Sequence, residues 1–85
     1  MSVRFLQVED LGDLIEHAEY VREVYYAMYD IDEDTVYAII IAGRLIWKGE
    51  INKDNPLYRK LINILEMKGT KFRKIITLDE VSEWI

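Results

Sequence analysis

With 85 residues, no cysteine and one histidine, this chain has room for a single domain. It has no means of building a disulfide, a thiolate metal site, a thiol nucleophile or a His-based zinc site. Apolar residues make up 51% of it, charged residues 32%, and the net charge is −5. That apolar share is high for a chain whose small size leaves much surface exposed after folding, so part of it is expected to be buried against another chain, in a homodimer or with a protein partner.

The longest apolar run, Val36 to Ala42, is far too short to cross a bilayer, and the first residues lack a basic stretch followed by a long apolar one. The expectation is therefore a cytoplasmic protein with no membrane role. A single glutamine (Gln7), many isoleucines, no cysteine and abundant charge lean thermophilic and point to an archaeal or viral source.

In chain order, residues 3–8 alternate weakly and predict a first strand. Asp10 stands as a helix N-cap, and Leu11, Leu14, Ile15, Ala18, Val21, Tyr25 and Met28 recur at helical spacing, which predicts an amphipathic helix over residues 10–29. In that helix Tyr25 and Met28 share the core stripe, while Tyr26 and Tyr29 point elsewhere. An acidic turn, Asp30 to Asp34, breaks it. Thr35 to Ala42 is β-branched and aromatic, a strand apolar on both faces. Gly43-Arg44 suits a two-residue type II′ turn, and Leu45 to Ile51 returns with Leu45, Trp47 and Ile51 on one face and Ile46, Lys48 and Glu50 on the other. Asn55-Pro56 opens a second helix, with Gly69 as its left-handed cap. Phe72 to Thr77 reads as a fourth strand, and Thr77 to Glu80 as a capping box that starts a short terminal helix.

The expected fold class is α+β in the order β-α-β-β-α-β, that of the ferredoxin-like split motif or a related mixed four-stranded sheet. Two main helices pack on one face, with a short C-terminal helix added. The doubly apolar Thr35–Ala42 strand fits this order poorly, because a strand apolar on both faces needs cover on both. It is expected to be central in a rearranged sheet, or to be covered by the terminal helix or a second subunit.

The functional signals are few. Asp30, Asp32 and Asp34 have the first spacings of a calcium loop, but Thr35 and Ile41 stand where that loop needs Gly and Glu, so they read as a solvated turn. His17 has Asp13 one turn back and reads as half of a surface ion pair. Ser2 and Ser82 sit in no nucleophile elbow, and Gly43, Gly49 and Gly69 are too scattered to cradle a phosphate. No catalytic residue, cofactor or metal is therefore expected.

Two surfaces remain. Tyr25, Tyr26, Met28 and Tyr29 crowd the end of the predicted first helix, and tyrosine and methionine are enriched at protein interfaces, so these four are the expected partner-binding residues. The charge is also uneven: residues 1–43 hold two bases against ten acids, a balance of −8, and residues 44–85 hold nine against six, or +3. Arg59, Lys60, Lys68, Lys71, Arg73 and Lys74 face only Glu66 in their stretch, and Phe72 lies among them. Phosphate contacts with interleaved stacking are how proteins hold single-stranded nucleic acid. The plainer meaning of the asymmetry is two solvated faces that attract each other. The function expected is a non-catalytic interaction or regulatory module, homodimeric; the alternatives are nucleic-acid binding through 58–74 and an accessory subunit of an enzyme complex.

Overall fold

Eight elements follow one another in the computed structural model, which describes residues 4–85: β1 (Leu6–Gln7), α1 (Leu11–Ala18), β2 (Val24–Asp30), β3 (Thr35–Ala42), β4 (Leu45–Asn52), α2 (Pro56–Lys68), β5 (Gly69–Lys71) and α3 (Leu78–Trp84). Val3, in the expected first strand, and Ser2 lie outside the described residues.

The expected 10–29 helix is two elements. Asp10 caps α1 as predicted, accepting the Gly12 N–H at 2.7 Å, and Leu11, Leu14, Ile15 and Ala18 form its buried stripe. Beyond Ala18 the helix stops, and Val24 to Tyr29 runs as a strand. Val21, Tyr25 and Met28 matched the helical period by coincidence, while the β-branched and aromatic content of 24–29 carried the strand preference. In β2 the side chains alternate: Tyr26 and Met28 pack toward one core, Ala27 and Tyr29 toward the other. The expected pairing of Tyr25 with Met28 is thereby corrected.

The sheet has five strands, not four, in the order β1-β4-β3-β2-β5. β2, β3 and β4 form an antiparallel meander, and the two short edge strands pair in parallel, β1 with β4 and β5 with β2. This mixed order replaces the ferredoxin-like expectation. The crossovers β1-α1-β2 and β4-α2-β5 both join parallel strands and move the same way across the sheet, so the right-handed rule sends both helices to one face. There α1 and α2 share a core with Val24, Val36, Ala38, Ile40, Trp47 and Ile51.

Between β3 and β4 the Gly43-Arg44 turn is as read: Gly43 has φ +60° and Arg44 does not have positive φ, as type II′ requires. Asn55 caps α2 by accepting the Leu57 N–H at 3.0 Å. Gly69 is not a left-handed cap. Its φ of −80° and ψ of 140° are extended, and it begins β5. The expected 72–77 strand is absent because the chain leaves the sheet edge after Lys71 and crosses to the second face.

On that second face Ala27, Ile39, Ile41 and Ile46 pack with Ile76 and Val81, flanked by Phe5, Tyr29, Tyr37, Phe72, Trp84 and Ile85. The Tyr29 hydroxyl accepts the Ile76 N–H at 3.0 Å and reaches the Ile76 carbonyl at 3.3 Å, tying the 72–77 connection to the sheet. Thr77 then caps α3 through the Glu80 N–H at 3.2 Å. β3 is thus the central strand, and the chain's own helices cover it on both sides. Among the described residues no helix is long and apolar enough to cross a membrane.

Candidate binding site

The cover over the second face is incomplete. α3 is short, and beside its C-terminal end lies an open cleft of about 530 Å³, within the size range of small-ligand sites. Four rings from separate segments line it: Phe5 ahead of β1, Tyr25 in β2, Phe72 after β5 and Trp84 at the end of α3. They touch in series, with ring centres 6.5 Å apart for Phe5–Trp84, 6.1 Å for Phe72–Trp84 and 6.4 Å for Tyr25–Phe72. These are ordinary separations for tilted and edge-on aromatic pairs. Val21, Ile41 and Gly43 complete the apolar wall, and Arg22 and Glu23 supply the charged side.

Each wall is placed by the fold. The Phe5 N–H donates to the Trp84 carbonyl at 2.7 Å, joining the two chain ends across the cleft. The Phe72 N–H donates to the Tyr26 carbonyl at 2.9 Å as the chain leaves β5. The Tyr25 hydroxyl donates to Glu23 Oε2 at 2.6 Å, which fixes the carboxylate beside the rings. That bond and the Glu23 charge hold the Tyr25 hydroxyl above the usual tyrosine range.

The expected partner residues are divided by this geometry. Tyr25 is half-exposed in the cleft, and Tyr29 is engaged with Ile76 on the same face. Tyr26 and Met28 are partly buried on the opposite face against the α1/α2 core, so the four do not form one surface. Phe5 and Trp84 were missed in the sequence. Both lie near the ends of the chain, and only the sheet order brings them together.

The basic residues are likewise dispersed. Arg59 and Lys60 are exposed on α2. Lys68 is committed elsewhere: its ammonium donates to the carbonyls of Ala18, Glu19 and Val21 at 3.0, 3.2 and 2.8 Å. Lys71, Arg73 and Lys74 remain together around a second hollow of about 370 Å³ beside Met28, and Phe72 lines both hollows. Among the described residues the ion pairs are Lys53–Asp30 at 3.6 Å and Lys74–Glu80 at 3.9 Å, so only one links the acidic half to the basic half.

The other described polar residues singled out in the sequence form no site. Asp32 accepts the Asp34 N–H at 2.8 Å in an Asx turn, which joins two strands rather than a helix and a strand. Among the described residues no cluster of three or more His, Asp or Glu side chains is arranged to hold a metal. His17 forms no ion pair with Asp13; its ring lies against the Gly43 turn, with Nε2 3.1 Å from where a Cβ on that glycine would stand. The Ser82 hydroxyl donates to the Leu78 carbonyl within α3.

No protein-family model matches the chain, and no curated protein or solved structure matches it.

Proposed function

We propose that this chain is a non-catalytic interaction module that receives a side chain of a partner protein in the aromatic cleft. One observation carries this reading: four rings from four segments line one open cleft on the face that α3 covers. Tyrosine and tryptophan bury large area at low entropic cost and are enriched where proteins meet. The partner is taken to be another protein, because β3 has its cover without a second copy. The core does not need a homodimer. The module is taken to work in a reducing cytoplasm, which suits a cysteine-free chain.

The test is a titration of the isotope-labelled protein with indole, p-cresol and leucinamide as side-chain mimics, followed by amide chemical shifts. Saturable shifts confined to Phe5, Tyr25, Phe72, Trp84 and their neighbours are expected. Shifts scattered over the surface, or none that saturate, would remove the reading.

One observation favours a second reading. Phe72 separates the aromatic cleft from the hollow ringed by Lys71, Arg73 and Lys74, so a base in one and phosphates along the other would suit a single strand of nucleic acid. A short oligothymidylate at low salt tests it. Salt-sensitive shifts at residues 71–74 together with the cleft would support it, and their absence would retire it.

A further inference from the structure

We infer that the aromatic cleft selects an organic cation: a methylated or quaternary ammonium group borne by the partner. The inference rests on the cleft being the binding site and names the chemistry it takes.

Three observations converge. The walls are four aromatic rings, whose quadrupoles attract cations of low hydration. Glu23 brings a carboxylate to the same wall, and the Tyr25 hydroxyl holds it there at 2.6 Å, so this negative charge has a fixed place. The chain as a whole carries −5, a net charge that draws cations from a distance. The opposing charges are Arg22 in the lining, which is exposed and forms no ion pair among the described residues, and Lys71, Arg73 and Lys74, which lie beyond Phe72 around the second hollow. A metal ion does not fit, because one carboxylate among aromatic rings cannot replace its hydration shell.

The experiment compares choline with neohexyl alcohol, its uncharged carbon isostere, by amide shifts on the labelled protein, in the parent chain and in Glu23→Gln. Glu23 is exposed, so that variant keeps the fold. Choline is expected to bind in the cleft at least about fivefold more tightly than the alcohol, in keeping with a cation held over aromatic rings. Glu23→Gln is expected to weaken choline and leave the alcohol unchanged. Equal binding of the two probes would overturn the cation inference while leaving the cleft as the binding site. Binding of the neutral probes indole and p-cresol without choline would do the same. Failure of every probe would remove both the inference and the reading beneath it.

Discussion

The Lys68 ammonium lies 2.8 Å from the carbonyl oxygen of Val21, and within reach of those of Ala18 and Glu19. A helix ends with carbonyls that have no partner inside it, and a cation there is favoured by the helix dipole as well. The last residue of α2 thus caps α1 and pins the chain where it turns from helix into β2. Replacing Lys68 with Met is expected to cost about 1–2 kcal/mol, the range for charge-assisted bonds that are partly exposed. Urea denaturation checks this, with Lys68→Arg recovering part of the loss.

The second face depends on a different tie. Tyr29 holds Ile76 through its hydroxyl, and the chain behind Ile76 carries α3. Tyr29→Phe is expected to cost about 1–2 kcal/mol. Its signature is local: hydrogen exchange should quicken at Ile76 and Val81 while Leu14 and Leu61 keep their protection.

β3 allows a paired comparison. Ile40 faces α1 and α2 and is fully buried; Ile39, its neighbour, faces α3 and is 1% exposed. Ile40→Ala and Ile39→Ala are each expected to cost about 2–5 kcal/mol, because both leave a cavity in a packed environment. A mild effect at Ile39 alone, measured by thermal or urea unfolding, would mean that the second face is wet in solution.

Tyr25 and Tyr37 should ionise above the usual tyrosine value of about 10, Tyr25 through its bond to Glu23 and that residue's charge, Tyr37 through burial. The sign follows from linkage: a folded value above the unfolded one gives a contribution fully present below pH of about 10, which is lost as pH rises through the folded value. Site-resolved NMR titration should show Tyr25 and Tyr37 ionising late, and Glu23→Gln should bring Tyr25 back down without moving Tyr37.

Local rules made the antiparallel hairpin, its turn and all three helix N-caps legible, because Asp10, Gly43, Asn55 and Thr77 each act on neighbours a few residues away. The need for cover over β3 was also legible from its composition. The α1–β2 boundary was not, since residues 21–28 satisfy a helical period and a strand composition at once, and the tertiary pairing with β3 decides between them. The cleft was hidden for a further reason. Its rings are separated by up to most of the chain length, and no spacing rule links Phe5 to Trp84; parallel pairing of β1 with β4 and the crossing of 72–77 to the second face bring them together. Single basic residues misled in the opposite direction, because Lys68 has the sequence context of a surface charge and the geometry of a cap.

The most direct measurement of whether the cleft is the binding surface is the set of intermolecular NOEs between leucinamide methyl protons and the labelled protein. Contacts to the rings of Phe5, Tyr25, Phe72 and Trp84 are expected, with none to Tyr26 or Met28 on the opposite face. Methyl contacts to Tyr26, Met28 or the exposed side of α2, with the four rings silent, would contradict the account.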